Sequence, residues 1–299
     1  MWNGMMPAVT TKFTADGEID AKELERCIGL QMDAGNAGVI VCGSLGEGPM
    51  LSHDERIEVL KIAKSACGDK PVLLTICEAG TREACDLAKR ANKEGADGLM
   101  IVPSPIYHTS RDETITNLKS ISSAGDLPVM IYSNRVAYRV DVTPEMMVEL
   151  AEDDRMVAVK ESSDDIRRLT EIVNLLGDRY KILTGVDNLG LEALLMGADG
   201  WVSGVSIAFP EENQRIYDLV QAGRITEARE IYRWLRPLLD LDVSTFLVQQ
   251  IKLAEAIAIG STEHVRAPRQ PLTGEHRAQV EKVVRDQIAK RPDLSKYAL

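Results

Sequence analysis

Eight short apolar runs recur along the chain, and stretches with helical periodicity separate them. They begin about 20 to 35 residues apart, the length of one strand-plus-helix unit. The runs are Met5–Val9, Gly38–Cys42, Val72–Cys77, Gly98–Val102, Val129–Tyr132, Met156–Val159, Lys181–Leu183 and Trp201–Val205. A chain of 299 residues can hold eight such units, since a barrel of this kind takes about 250 residues. The pattern therefore predicts an α/β fold, a (β/α)8 TIM barrel rather than a doubly wound sheet.

Capping signals indicate where the intervening helices begin and end. Ser52–Glu55 and Ser110–Glu113 have the spacing of a capping box, and Thr143 precedes a proline in a first helical turn. The segment Gly-Ala-Asp-Gly occurs at 95–98 and again at 197–200, where glycine ends a helix before the fourth and eighth runs. These repeated junctions are typical of a repeated strand–helix design.

The pattern changes after Pro210, and from there to about Lys290 it is helical throughout, in separate helices of which the third runs from Ser244 to Ile259 and the last from Gly274 to Ala289. We therefore predict that residues 1–210 form the barrel core through strand eight. Residues 211–299 would form the last barrel helix and a C-terminal helical extension. Pro237 should break or kink the second of these helices, and residues 291–299 should form a loose tail.

Composition and charge narrow the possible partners. The chain is 44% apolar and has a net charge of −11, which indicates a soluble protein and argues against nucleic acid or an anionic membrane as partner. Residues 1–4 do not begin a secretory signal, and no run is long enough to span a membrane. The five cysteines form no C-x-x-C pair, and they are Cys27, Cys42, Cys67, Cys77 and Cys85. Buried free thiols in a reducing compartment fit this pattern, so we predict a cytoplasmic protein.

Lys160 is the residue with the clearest catalytic potential, because it follows the sixth apolar run directly. In a barrel the active site lies at the carboxyl ends of the strands. Desolvation there disfavours the ammonium form, so such a lysine can act as a neutral nucleophile. The alternative is a lysine that simply extends its amine from a strand end into solvent.

Other strand ends carry groups that suit this chemistry. The segment 42–48 after the second run is rich in glycine and can cradle an anion such as a carboxylate, although it can also be a plain turn. Tyr107 and Tyr132 follow or end the fourth and fifth runs, and Tyr132 would face Lys160 because strands five and six are neighbours. A phenol there can exchange protons with an imine intermediate, and Ser44 is the hydroxyl available to relay them.

Two glutamates flank this region, and the histidines are scattered. Glu47 and Glu161 are more typical of ion-pair partners or caps than of a catalytic base. The four histidines show no metal-ligand spacing, so we expect no metal site.

The chain resembles the dihydrodipicolinate synthase/N-acetylneuraminate lyase family. The segments that carry the resemblance are Gly43–Glu47, Pro105–Tyr107, Ile131–Tyr132, Val159–Glu161 and Val265–Arg269. The resemblance implies that Lys160 forms a Schiff base with a 2-oxo or cyclic imino acid and that Tyr132 is the acid/base. It implies that Ser44 links Tyr132 to Tyr107, and that Tyr107 reaches the site of a neighbouring subunit.

The resemblance also implies how a substrate is held. Its carboxylate would lie on the Ser44–Leu45 turn, with Gly185 and the backbone of Val202 lining the pocket. No cofactor is implied, and the expected assembly is a homotetramer built as a dimer of dimers.

Two departures bear on the substrate. Leu45 stands where the synthases and neuraminate lyases have threonine, and Ala137 stands where the synthases have an arginine for a second carboxylate. Arg135 and Arg139 are near that position but out of register. Residues 42–51 and 132–134 are closer to a branch that includes 1-pyrroline-4-hydroxy-2-carboxylate deaminases. The favoured hypothesis is therefore deamination of that compound to 2,5-dioxopentanoate and ammonia.

Three alternatives stay open. An aldolase or dehydratase of 2-keto-3-deoxy sugar acids or of 4-hydroxy-2-oxoglutarate would share every catalytic residue. A 4-hydroxy-tetrahydrodipicolinate synthase would share them too. The third alternative is a non-catalytic barrel that binds a 2-oxo acid. It does not explain why Lys160, Tyr132, Ser44 and Tyr107 occur together.

Overall fold

The computed structural model describes residues 2–299, so Met1, the first residue of the predicted barrel segment, lies outside it. Eight parallel strands follow one another around a barrel in the order β1-β8-β7-β6-β5-β4-β3-β2. The strands are β1 Gly4–Met5, β2 Val39–Val41, β3 Val72–Ile76, β4 Gly98–Ile101, β5 Val129–Ser133, β6 Met156–Glu161, β7 Lys181–Thr184 and β8 Gly200–Trp201. A bridge between Ala8 and Ile40 joins the two ends of the sheet, and Val9 donates its N–H to the Ile40 carbonyl at 2.9 Å. The predicted (β/α)8 barrel is confirmed.

Helices follow each strand and cover the outside of the barrel. They are α1 Ala21–Asp33, α2 His53–Cys67, α3 Thr81–Lys93, α4 Arg111–Gly125, α5 Arg135–Tyr138, α6 Pro144–Leu150, α7 Arg167–Leu176, α8 Gly190–Leu195, α9 Pro210–Gln221, α10 Ile225–Leu239, α11 Leu247–Ile259 and α12 Gly274–Ala289. The short α5 is an additional turn between β5 and α6. Helices α10 to α12 come after the last barrel helix, α9. None of the helices in the described chain is long and apolar enough to cross a membrane.

The predicted helix starts are confirmed. Ser52 and Ser110 each accept the N–H three residues on, and Glu55 and Glu113 each accept the N–H of their serine. Thr143 accepts the N–H of Met146 at the start of α6. Each cap satisfies backbone donors that have no partner within the helix.

The strand ends differ from the predicted ones by more than one residue at β1, β6 and β8. The eighth run extends to Val205 in sequence, but β8 ends at Trp201. It ends early because Asp187 accepts the N–H groups of Gly204 and Val205, which therefore cannot continue a strand ladder. Strand β6 is longer than its apolar run and includes Lys160 and Glu161.

The C-terminal region is helical as predicted, and the predicted end of the third helix at Ile259 and the bounds of the last helix, Gly274–Ala289, are confirmed. Residues 260–273 form no helix, because Gly260 has a φ of 68° and ends α11, and the chain then crosses to Glu47. Pro237 does not break α10, which continues to Leu239. Its position in the last turn explains this, since it removes one hydrogen bond where the helix is about to end.

The predicted loose tail is also wrong. Arg291 forms an ion pair with Glu212, Arg215 donates to the Tyr297 carbonyl at 2.7 Å, and Arg224 donates to the Ala298 carbonyl at 2.6 Å. These contacts bind residues 291–298 to α9 and the start of α10. The division of the chain at residue 210 stays a prediction.

All five cysteines are free thiols, and four of them are buried as expected. Cys85 is half-buried. Burial raises the pKa of the Cys27 thiol to about 11, so this group is uncharged near neutral pH.

A buried pair of ions connects the C-terminal extension to the barrel. Lys252 on α11 donates to Glu47 at 2.5 Å, and both side chains are fully buried. Lys12 and Glu255 form a second fully buried pair nearby, and Thr10 donates to Glu255 at 2.8 Å. Burial lowers the pKa of Lys252 to about 8, against the opposing effect of Glu47. These two ion pairs therefore hold the extension to the loops after β1 and β2, because each buried charge is compensated by its partner across the contact.

We expect Lys252→Met to lower the free energy of unfolding by about 3–5 kcal/mol, because Glu47 would remain buried without a cation. Urea denaturation followed by circular dichroism measures the loss. The control is the double variant Lys252→Met with Glu47→Gln, which removes the uncompensated charge and should recover part of the loss. A double variant no more stable than the single one would contradict this account.

Candidate active site

Lys160 and Tyr132 lie side by side at the carboxyl end of the barrel. They occupy paired positions on β6 and β5, so both side chains leave the sheet at the same level. Nζ of Lys160 is 4.3 Å from the centre of the Tyr132 ring. Each residue is only 6% exposed. The predicted meeting of amine and phenol is thus present in the structure.

Gly185 leaves room for the lysine. Its N–H donates to the Glu161 carbonyl at 2.8 Å, which fixes the backbone next to β6. A Cβ atom at Gly185 would lie 2.4 Å from Cε of Lys160 and 2.2 Å from Oγ of Ser162. Any side chain at this position would therefore displace the aliphatic part of Lys160. This explains why a glycine occupies the position that the resemblance assigns to the lining of the pocket.

The loop after β2 has the strained backbone expected of an anion cradle. Cys42 and Glu47 have positive φ values of 58° and 54°. A Cβ at Gly48 would lie 2.0 Å from the Cys42 carbonyl oxygen, so the loop closes tightly on itself. Within residues 2–299 the backbone N–H groups of Ser44 and Leu45 donate to no protein acceptor. Two donors in one turn can hold a carboxylate.

Ser44 has a hydrogen-bond partner that the sequence did not indicate. Its Oγ forms a hydrogen bond with the hydroxyl of Tyr138 on α5. The Tyr138 ring also meets the Tyr132 ring edge-on, with centroids 5.7 Å apart. Burial, and then the neighbouring Tyr132, raise the pKa of Tyr138 well above its usual range.

Tyr107 lies elsewhere. It is 59% exposed, and its hydroxyl donates to Glu113 at 3.3 Å. It lines a surface cleft of about 440 Å³ beside α4. The single chain therefore pairs Ser44 with Tyr138 and not with Tyr107. The prediction that Tyr107 reaches the site of a neighbouring subunit concerns an assembly, and it stays a prediction.

Val202 directly follows β8, and Leu45 lies in the loop after β2; both are buried. Val202 donates its N–H to the Thr184 carbonyl at 2.8 Å, so its own carbonyl is the backbone group that remains for a ligand. Cδ2 of Leu45 approaches Gly204, where a Cβ would lie 3.0 Å away.

The two flanking glutamates have the structural contacts expected of them. Glu47 pairs with Lys252 and also accepts the N–H of Arg266 at 3.0 Å. Glu161 accepts the N–H of Ser163 at 2.6 Å, and burial raises its pKa.

Two aspartates near the site were missed by the sequence reasoning. Asp187 is fully buried and accepts from Trp201, Ser203, Gly204 and Val205, and burial raises its pKa to about 6. Asp242 comes from the extension, and its Oδ1 would lie 2.2 Å from a Cβ at Gly204. Burial raises the pKa of Asp242, the charge of Asp187 adds to this, and the charge of Lys160 opposes it.

A sequence signal existed for only one of these aspartates. Asp187 follows a predicted strand by a few residues, which is where site residues of a barrel are found. Asp242 lies in a stretch that reads as helix, and nothing in the pattern brings it back to the barrel mouth. Across residues 2–299, no group of three or more His, Cys, Asp or Glu side chains is placed to hold a metal ion.

We expect Gly185→Ala to lower the free energy of unfolding by about 1–3 kcal/mol, the usual cost of overpacking. The cause is the overlap of the new methyl group with Lys160 and Ser162. Gly29→Ala is the matched control, because nothing lies within 4 Å of its Cβ position in α1. A helix-interior Gly→Ala should stabilise by up to about 1 kcal/mol. Urea titration of both variants checks this, and equal stabilities would show that the space around Lys160 is not tight.

Comparison with known proteins extends over nearly the whole chain. The model of the Dihydrodipicolinate synthetase family matches residues 1–287. A 4-hydroxy-tetrahydrodipicolinate synthase from Methanosarcina barkeri is 33% identical over 276 residues, which cover 91% of this chain and 94% of that protein.

Two solved structures have the same fold. One is YagE from E. coli K12, a protein of the dihydrodipicolinic acid synthase family in complex with pyruvate. It has a TM-score of 0.90 at 25% identity and covers 96% of this chain and 99% of its own. The other is dihydrodipicolinate synthase from Aquifex aeolicus, with a TM-score of 0.90 at 28% identity, covering 95% of this chain and 98% of its own. With a family match over residues 1–287, this chain belongs to the Dihydrodipicolinate synthetase family.

Proposed function

We propose that this chain is a lyase that forms a Schiff base between Lys160 and a small 2-oxo or imino acid. One observation carries the proposal. A buried lysine amine lies 4.3 Å from the ring of a buried tyrosine, at the end of the barrel where active sites are built. Membership of the family supports the same reaction class.

The first half of the reaction needs an amine and a proton donor. Nζ of Lys160 attacks the C2 carbonyl carbon, a C–N bond forms, and a nitrogen proton moves to the carbonyl oxygen to give a carbinolamine. Tyr132 then gives its phenol proton to that hydroxyl, which leaves as water while the nitrogen lone pair forms the iminium bond. The Tyr132 phenolate takes a proton from C3, so an enamine results and the phenol is restored.

The carboxylate of the substrate would bind on the Ser44–Leu45 turn. The two backbone N–H groups there have no protein acceptor in the described chain, and a carboxylate can accept from both. Leu45 supplies only its backbone donor, since its side chain has no hydroxyl. The substrate would thus be held at its carboxylate and at C2, with C3 towards Tyr132.

The named relatives make 4-hydroxy-tetrahydrodipicolinate synthase the first candidate for the overall reaction. The seven-carbon skeleton of dipicolinate exceeds the three carbons of pyruvate by four. The co-substrate for this candidate is therefore a four-carbon amino acid semialdehyde, which brings a second carboxylate.

A second candidate is favoured by the charge of the site. Ala137 supplies no cation, and Arg135 is occupied by the Ser163 carbonyl at 3.2 Å and by Asp141 at 3.7 Å. Asp242 lies beside Gly204, and it supplies no cation for a second substrate carboxylate either. A substrate with one carboxylate fits better, and 1-pyrroline-4-hydroxy-2-carboxylate is such a compound. Its deamination would begin with attack of Lys160 on the ring C=N carbon.

Other features of the proposal are shared by both candidates. The substrate is a small molecule, and the enzyme needs no cofactor for imine chemistry. We propose a homotetramer in the cytoplasm, as the sequence suggested. Aldol cleavage or dehydration of 2-keto-3-deoxy sugar acids or of 4-hydroxy-2-oxoglutarate uses the same residues and belongs in the same substrate panel.

Trapping with borohydride tests the Schiff base. We expect pyruvate plus borohydride to add one reduced pyruvate to the protein, located on Lys160 by peptide mass spectrometry. Lys160→Ala should form no adduct, and Lys61→Ala, which removes an exposed lysine on α2, should form it normally. Absence of an adduct with every 2-oxo and imino acid would refute the proposed class and favour a barrel that only binds such acids.

Tyr132→Phe should slow turnover by roughly two to four orders of magnitude, the usual contribution of a general acid/base. The fold should remain intact, because the ring and its contacts are kept. Steady-state rates with the active substrate measure the effect, and near-normal turnover would remove the assigned role of Tyr132.

A substrate panel separates the candidates. Pyruvate with aspartate semialdehyde tests the synthase, and 1-pyrroline-4-hydroxy-2-carboxylate tests the deaminase through ammonia release. We expect Ala137→Arg to improve use of the substrate with two carboxylates relative to the one with a single carboxylate, because it adds a cation where the site has none. An unchanged ratio would show that the missing cation at residue 137 does not select against the second carboxylate.

A further inference from the structure

The turn that would bind the substrate carboxylate is connected to the C-terminal extension through Glu47. The N–H of Glu47 donates to the Ser44 carbonyl at 3.2 Å, so the two residues belong to one turn. We propose that Lys252, acting through Glu47, is a positioning residue that holds the Ser44 and Leu45 N–H groups in place for the substrate carboxylate. This inference rests on the proposed Schiff-base function.

Glu47 holds the backbone of the turn in a strained conformation. Its φ of 54° lies in the left-handed region, which costs free energy for a residue with a side chain and persists only where the surroundings hold it. The next residue, Gly48, donates its N–H to the Gly43 carbonyl at 3.0 Å and closes the turn. A change of φ at Glu47 would break this closure, and the Ser44 and Leu45 amides would turn away from the carboxylate.

The extension holds both carboxylate oxygens of Glu47. Oε1 accepts from Nζ of Lys252 at 2.5 Å, and Oε2 accepts the N–H of Arg266 at 3.0 Å. Nζ of Lys252 also donates to the His264 carbonyl at 2.6 Å, so the amine itself is fixed. The Glu47 and Lys252 side chains are both fully buried. Solvent therefore cannot take the place of the ammonium if it is lost.

A second buried ion pair shows what a role in stability alone would look like. Lys12 and Glu255 are also fully buried, and they also join α11 to a loop of the barrel. Their side chains bond to each other and to Thr10, and in residues 2–299 neither bonds to the segment 42–48. Loss of either pair should destabilise the fold, but only loss of Lys252 should affect the binding of a carboxylate.

The charge on Lys252 changes within an accessible range of pH. Burial lowers its pKa to about 8; the neighbouring Glu47 opposes this, and Lys12 adds to it. Charged groups face the amine or its partner carboxylate from every element packed around them. They are Glu47, Lys12, Glu255, Arg266 and Arg269. As the pH rises through about 8, Lys252 becomes neutral, Glu47 loses its closest cation, and the turn should bind a carboxylate less well.

Two related substrates test the proposal, because methyl pyruvate has the carbonyl group of pyruvate but no carboxylate. The measurement is the half-saturating concentration of each for the borohydride adduct on Lys160. In Lys252→Met the value for pyruvate should rise by about 10-fold, the effect of losing one hydrogen bond to a charged group. The value for methyl pyruvate should change by less than about twofold. The matched control, Lys12→Met with Glu255→Gln, removes the other buried pair and should keep the wild-type ratio of the two values.

The wild-type protein supplies a second test, which needs no folded variant. The ratio of the half-saturating concentration of pyruvate to that of methyl pyruvate should rise by about 10-fold between about pH 7 and about pH 9.5. The protonation state of the attacking amine affects both compounds and cancels in the ratio. A ratio independent of pH would overturn the proposal, and so would a wild-type ratio in folded Lys252→Met or an equal rise in the control. These outcomes leave the Schiff base intact if wild type forms the adduct, whereas no adduct in wild type overturns both proposals.

Discussion

The site depends on the register between two neighbouring strands. Tyr132 on β5 and Lys160 on β6 are paired across the sheet, and both point into the barrel mouth. A shift of one residue would turn either side chain to the opposite face of the sheet, so the amine and the phenol would separate. Gly185 lies directly after β7, the neighbour of β6 on the side away from β5. It leaves space for the lysine side chain, because a Cβ there would lie 2.4 Å from Cε of Lys160. The register of β5 and β6 and the absence of a side chain at Gly185 together determine where the amine of Lys160 lies.

The carboxylate loop depends on a different interaction, the buried pair of Glu47 and Lys252. Glu47 has a left-handed backbone conformation at the end of the turn that presents the Ser44 and Leu45 amides. Such a conformation costs free energy for a residue with a side chain, and the surroundings must hold it. Lys252 and the N–H of Arg266 do so from the C-terminal extension. The extension therefore supports the active-site loop as well as packing against the barrel.

The sequence predicted the barrel because eight apolar runs and their caps are local signals, and it placed Lys160, Tyr132 and Ser44 because barrel strand ends converge. It failed where a long-range contact overrides the local pattern. Asp187 ends β8 early by taking two backbone donors, and Arg291, Arg215 and Arg224 hold the tail that the sequence predicted to be loose. Asp242 and Tyr138 could not be found, because neither spacing nor residue type shows that an extension or a four-residue turn reaches the site.

Two further residues leave the site without a cation for a second substrate carboxylate. Asp242 places a carboxyl group beside Gly204, and burial raises its pKa. Tyr138 brings a hydroxyl to Ser44, and Ala137 before it carries no charge. Such a site would favour a monoanionic substrate over a dianion, because nothing at these positions offsets the charge of a second carboxylate.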